Sequence, residues 1–435
     1  SGTTSIGANI TTTGTQGYSD AVTLTGTGAT RTLQGTTITA SSTIAGGANA
    51  LTITGNAVFG GAITNVTNLS VSGTTSIGAN ITTTGTQGYT GAVTLTNPVT
   101  LTTTNNLITF SSTVDSDSTA ARNLTTSVGT NGITFTGAVG GSQGLGNISL
   151  TGTGTTTFSS TVVAASVLQN STSGTTAING ASINTTGGTQ TYNNAVTLGG
   201  SADKTLTGTT ITFNDTVSGA YGLTITGNAV FGNGTTDTVT ITGTAKNLSV
   251  SGTTSIYTNA ITTTGTQTYS GAVTVAAATT LSASGITTSS TLAASANNLT
   301  FTTDAISIGG AITGTGALVI QPKTTTTTVG VGSAITSTSC GGAVCALAID
   351  DTELAYLPGT FSSITIGSAS GTGAMAINTA YTFTDPLTIR SSSGTITATS
   401  ALDTVANSLT ITSGGAVSVA AITSGALDIT GTGIT

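Results

Sequence analysis

The chain repeats itself. Ser1–Tyr18 (SGTTSIGANITTTGTQGY) returns letter for letter at Ser72–Tyr89. A larger duplication lies over this one. TLQGTTIT at Thr32–Thr39 reappears as TLTGTTIT at Thr205–Thr212, LTITGNAVFG at Leu51–Gly60 recurs unchanged at Leu223–Gly232, and NLSVSGTTSI at Asn68–Ile77 recurs at Asn247–Ile256. The order is kept, so roughly residues 1–100 are paralogous to about 183–275. The offset drifts from 173 to 172 to 179, so short insertions are tolerated. One phrase occurs four times: GTQGYSDAVTL from Gly14, GTQGYTGAVTL from Gly85, GTQTYNNAVTL from Gly188 and GTQTYSGAVTV from Gly265. A chain that restates short units in this way builds by stacking one unit on the next.

The units read as strands. Val93–Thr94–Leu95, Leu51–Thr52–Ile53 and Leu69–Ser70–Val71 alternate aliphatic and hydroxylated residues, which puts aliphatics on one face and hydroxyls on the other. Branched Thr, Val and Ile suit a pleated surface, whereas strong helix formers are scarce. Gly and Asn punctuate the phrases and supply the positive-φ positions that turns need. Strand phrases recur about every 15–23 residues, close to one coil of a β-solenoid. The expected fold is all-β: a right-handed parallel β-helix of about twenty coils, about 100 Å long at about 4.8 Å per coil. No strict six-residue aliphatic period is present, which disfavours a left-handed hexapeptide helix. Thin coils take small or branched residues inside, in keeping with 4% aromatics. Stacked charges would repel, in keeping with 4% charged residues where about 25% is usual. The alternative is a row of tandem β-sandwich domains, which calls for clear linkers and a period near a hundred residues. We expect residues 1–330 to form a shaft with duplicated modules. Residues 331–435 then continue it and carry a loop at Cys340 and Cys345.

Composition excludes several functions. Hydrophobic residues make up 36% and mean hydropathy is +0.32, so the chain folds rather than stays disordered. The net charge is −7, and the six bases (Arg31, Arg122, Lys204, Lys246, Lys323, Arg390) are scattered. They cannot track phosphates, which argues against nucleic-acid and anionic-membrane binding. No apolar run reaches 18 residues. No initiator Met or signal peptide is seen, and the chain starts inside a repeat, which reads as a processed product or fragment. There is no His and no converging set of titratable groups, so no enzyme activity and no cofactor are expected.

With the ITTTGTQxY–xxAVTL units stand two later stretches, ELAYLPGTFSSITIGSASGTGAMAI at Glu353–Ile377 and PLTIRSSSGTITATSALDTVANSLTITSGGAVSVA at Pro386–Ala420. On these phrases, which span most of the chain, the sequence resembles the large filamentous haemagglutinin-like exoproteins of Gram-negative bacteria. The resemblance implies secretion by an outer-membrane partner and β-helical fibres for attachment or matrix building. That family's amino-terminal secretion domain and a receptor-binding head are not recognisable in these residues.

Four features invite a functional reading beside a plain one. Asp350, Asp351 and Glu353 could ligate Ca²⁺ through oxygen. They lack the usual Gly-rich spacing, and the plain reading is a solvated turn. Cys340 and Cys345, in CGGAVC, could close a small disulfide loop, the expected state in an exported protein; no His completes a zinc site. The triplets Thr82–Thr84, Thr102–Thr104 and Thr262–Thr264 raise ice binding, which needs Thr rows in register. The drifting offsets argue against it, and the plain reading is an outward strand residue. Sequons at Asn9, Asn65, Asn68, Asn80, Asn123, Asn147, Asn184 and Asn247 arise readily in an Asn- and Thr-rich chain.

Tyr18, Tyr89, Tyr192 and Tyr269 recur in the fourfold phrase. Their neighbours change while AVTL or AVTV persists, so the phrase reads as a coil corner and its following strand, with Tyr packed over the corner. Sequence alone points to an extracellular structural fibre or adhesin shaft. Such a shaft serves cell-surface filaments, attachment, a sheath or biofilm matrix, and self-associates end to end or continues a longer shaft. The alternative is an ice-binding solenoid, or one that binds surface glycans through exposed Tyr89 or Tyr269.

Overall fold

The computed structural model describes residues 2–26, 28–332 and 345–435, which fall into two compact units, Ser1–Thr216 and Val217–Thr435. Together they contain about 21 turns of a β-solenoid with almost no helix.

One coil of the first unit shows the construction. Strands Thr75–Ile77, Ile81–Thr83 and Gln87–Tyr89 form its three sides. On them, in parallel, lie Val93–Leu95, Val99–Thr103 and Ile108–Phe110. The first and third strands of the lower coil have a buried–half-buried–buried pattern, and the middle residue of the second, Thr82, is exposed. Strict alternation thus places Ile77, Ile81, Val93 and Leu95 in the interior, at most 1% exposed. Among the described strands every pairing is parallel. The β-sandwich alternative is overturned, because sandwich sheets are built from antiparallel strands.

Coil length varies, yet strand register holds along most pairings, with local shifts such as those at Gln34/Thr37 and Ala293/Ser295. Thr75 pairs with Val93, 18 residues on, whereas Ile108 pairs with Ile133, 25 residues on. The extra residues lie in the turns. One outward column therefore runs unbroken in the first unit through Thr52, Ser70, Gly88, Thr109, Thr134, Thr157, Ala177 and Thr197. In the second unit Thr240, Thr262, Ser282 and Thr302 form a similar column. Drift in the repeat offset does not put the column out of register, contrary to expectation, because the strands and not the turns set it; the hydroxyls along it are interrupted only at Gly88 and Ala177.

Glycine is required at one corner. A Cβ on Gly55 would lie 1.9 Å from Gly35 O, and one on Gly91 would lie 2.3 Å from Gly73 O. Gly55 also has φ +129, which L side chains rarely adopt. Beside it, Asn56 Oδ1 accepts the Thr74 N–H of the next coil at 2.9 Å. The same Gly-Asn pair at Gly227–Asn228 holds Thr253 N–H at 2.9 Å in the second unit.

Among its described residues the second unit departs from winding order once. Ala317–Ile320 pairs with Ser363–Ile366, 46 residues on. Between these strands the chain lays down Val329–Gly332, and later places Leu347–Ile349 along its edge. The other edge of Val329–Gly332 takes Met375–Asn378. Leu347–Ile349 also packs beside Ile306–Ile308, so it enters the stack out of sequence order. A helical turn, Asp351–Leu354, follows it. Together they complete a coil that the main path skips: Glu353 Oε1 accepts Ile308 N–H at 2.9 Å, and Tyr356 O accepts Ile312 N–H at 2.9 Å. Without these acceptors two backbone donors would be unpaired in the stack.

Candidate functional site

The fourfold phrase is the most repeated constellation, and it builds a buried clamp. In the second copy, Gln87 and Tyr89 are separated by one residue and so both point inward. Gln87 is 1% exposed and Tyr89 fully buried. Tyr89 Oη donates to Gln87 Oε1 at 3.0 Å. Gln87 Nε2 donates to Ile81 O at 3.3 Å in its own coil and to Thr102 O at 2.9 Å in the next. Thr83 closes the corner by donating from Oγ1 to Gly85 O at 2.7 Å. One side-chain pair therefore ties two sides of a coil to the coil that follows.

The other copies repeat the geometry. Gln190 donates to Ile183 O and Thr207 O, both at 3.0 Å, and receives Tyr192 Oη at 2.9 Å. Gln267 donates to Ile261 O at 2.9 Å and Ser282 O at 3.0 Å, and receives Tyr269 Oη at 3.0 Å. Gln16 donates to Gln34 O at 2.7 Å and receives Tyr18 Oη at 2.8 Å, but Tyr18 is only half-buried. Burial pushes the phenols of Tyr89, Tyr192 and Tyr269 far above the ordinary tyrosine value and that of Tyr18 less so. The expectation of exposed Tyr89 and Tyr269 is corrected: both are core residues. Nor do they lie over the corner. Each projects inside the coil, where Tyr89 begins a ladder of parallel rings through Phe110, Phe135 and Phe158 at centroid spacings of 5.2, 5.0 and 5.3 Å.

The sequon asparagines have a structural use as well. Asn9, Asn68, Asn80, Asn123 and Asn247 each accept, through Oδ1, a backbone N–H of the next coil at 2.8–2.9 Å. Asn147 and Asn184 accept hydroxyls, from Ser166 and Thr186. In the triplets the middle Thr83, Thr103 and Thr263 are buried, and the outer residues face solvent or are half-exposed.

Two of the three acidic residues, Asp350 and Glu353, form a capping box rather than a free turn. Asp350 Oδ1 accepts Glu353 N–H at 2.8 Å, and Glu353 Oε2 accepts Asp350 N–H at 3.0 Å. Asp351 Oδ1 accepts Thr379 Oγ1–H at 2.6 Å. Burial raises the Glu353 carboxyl above its ordinary value, against the pull of its two backbone donors. Among the described residues no group of three or more His, Cys, Asp or Glu is placed to hold a metal ion. Cys345 is buried beside Ala376. Cys340, its expected partner, lies outside the described residues.

Two residues escape any sequence reading. Gln169 takes the ring position beneath Tyr192, fully buried, and neither amide atom has a hydrogen-bond partner. Arg390 Nε is likewise shielded and unpaired. No helix among the described residues is long and apolar enough to cross a membrane. No family model, curated protein or solved structure matches the chain.

Proposed function

We propose that this chain is a non-enzymatic, extracellular structural shaft of the kind that builds surface filaments, an adhesin stalk, a sheath or a biofilm matrix. The observation that carries the reading is the use made of the repeated phrase. In three copies its Gln and Tyr are buried, the Tyr hydroxyl is spent on the Gln, and the Gln is tied to the next coil. Repetition that serves binding keeps its polar groups at the surface; repetition that serves construction consumes them. The low charge supports the same reading, because stacked coils would place like charges about 4.8 Å apart. An outer-membrane secretion partner, end-to-end self-association or continuation into a longer shaft, and contact with surface glycans or neighbouring cells belong to this proposal. Nucleic acid does not. The test is immunogold labelling of the producing cell with an antibody to the purified chain. Gold along filaments or an outer layer is expected, and labelling confined to the cell interior would sink the reading.

A second reading, ice binding, is favoured by one observation: outward columns made mostly of Thr and Ser keep register through coils of unequal length. It requires thermal hysteresis and faceted crystals. Their absence from a concentrated solution would dismiss it.

A further inference from the structure

Six basic residues occur in the chain, and five have clear partners. Arg31 Nε donates to Thr25 O at 3.0 Å, Lys204 Nζ to Asn179 O at 3.1 Å and Lys323 Nζ to Thr263 O at 2.8 Å. Arg122 pairs with Asp117 at 2.9 Å, and Lys246 lies 5.5 Å from the centre of the Tyr221 ring. Of the six, Arg390 alone has no ion pair, side-chain hydrogen bond or ring contact among the described residues, and its Nε is shielded from solvent. A partly buried guanidinium without a partner carries a desolvation cost that an arriving anion relieves.

Arg390 lies on strand Leu387–Ser391, where Thr388 and Arg390 face outward. Its register neighbours are Gly367, which offers no side chain, and Thr412. A cleft of about 560 Å³ opens here, lined by Thr388, Arg390, Ser392, Thr412, Ala369 and Gly414, among others. It is in the size range of small-molecule sites and far larger than a bare anion needs. The Thr388 and Thr412 hydroxyls make no hydrogen bond to other described residues, so they are open to a ligand. By contrast, Ser391 Oγ is turned to Gly371 O at 2.9 Å. The lining has no aromatic ring and no carboxylate. The nearest acid in the register of this face is Asp428, two rungs beyond Thr388.

We propose that the Arg390 cleft is a binding site for a sugar acid, a ligand that carries a carboxylate and several hydroxyls on a saturated ring. The guanidinium takes the carboxylate in its planar fork, and Thr388 and Thr412 take ring hydroxyls. No ring stacks, because the walls offer none.

The test is calorimetric titration of the purified full chain with D-galacturonate, with D-galactose and acetate as separate titrants. Galacturonate is expected to bind at least about ten-fold more tightly than either, and to weaken as sodium chloride is added. Arg390→Gln is expected to lose about ten-fold or more of galacturonate affinity. Thr412→Val should lose affinity for galacturonate and leave acetate unchanged. Arg390 and Thr412 face outward, and an unchanged melting temperature checks that each variant folds. Equal binding of galacturonate and galactose would overturn the role of the carboxylate, and equal binding of galacturonate and acetate that of the hydroxyls. No binding at about 50 mM galacturonate, or full binding by Arg390→Gln, would overturn the site.

Discussion

Replacing Gln87 with Leu removes the centre of one clamp and leaves its shape. Two hydrogen bonds to main-chain carbonyls are lost, at 3.3 and 2.9 Å, and the fully buried Tyr89 hydroxyl loses its acceptor. Two net bonds at about 1 kcal/mol each, plus about 1–3 kcal/mol for the orphaned hydroxyl, less the gain from an apolar side chain, give a cost of roughly 2–4 kcal/mol. Adding Tyr89→Phe removes the orphan. The double variant should therefore recover about 1–3 kcal/mol relative to the sum of the single changes. Because coils in a solenoid open locally, hydrogen exchange read by mass spectrometry is the appropriate assay. Peptides over residues 75–110 should lose protection roughly 30- to 1000-fold. Peptides over residues 254–286 contain the intact copy at Gln267 and Tyr269, so they serve as an internal control and should not change. Protection unchanged near Gln87, or lost equally in both regions, would refute the clamp.

Three further outcomes follow from other residues. Phe110→Ala opens a gap between the rings of Tyr89 and Phe135 and should destabilise that stretch by roughly 3–5 kcal/mol, read as lost protection in the same peptides. Gln169→Leu removes a buried amide with no partner on either atom and should stabilise the chain by about 1–3 kcal/mol, seen as a raised denaturation midpoint; a lowered midpoint would contradict the packing. The hydrogen bond from Arg122 lowers the Asp117 carboxyl from the ordinary 3.8 to about 2. The folded chain therefore binds fewer protons than the unfolded one in that window. The stabilisation is complete above about pH 4 and lost as pH falls through about 2. Arg122→Gln should return the Asp117 carbon-13 titration midpoint towards 3.8, and an unmoved midpoint would rule the pairing out.

The period-2 alternation of Val93–Leu95 or Leu51–Ile53, and the recurrence of phrases near coil length, make the solenoid legible in the sequence. Those signals are local, and parallel stacking follows from them. The inward path of Gln87 and Tyr89 was also visible in principle. They share parity with each other and pair with Ile108 and Phe110 of the next coil; what hides it is that Gln is rarely a core residue. Recurrent Asn-Leu-Ser and Asn-Ile-Thr phrases similarly mark the asparagine that caps the following coil. Two features were out of reach. Leu347–Ile349 enters the stack out of order because its partners are fixed by a gap elsewhere. Arg390 stands out only once the partners of the other five cations are known.

Spin labels on one outward column test the central claim, that coils of unequal length stack residue on residue. Ser70 and Thr197 are six rungs apart in the first unit, through Gly88, Thr109, Thr134, Thr157 and Ala177. Electron–electron dipolar spectroscopy should give a narrow distribution near about 29 Å for labels at these two sites, and about half that for Ser70 and Thr134, three rungs apart. A broad distribution, or a distance that follows the number of residues between the labels instead of the number of rungs, would contradict the account.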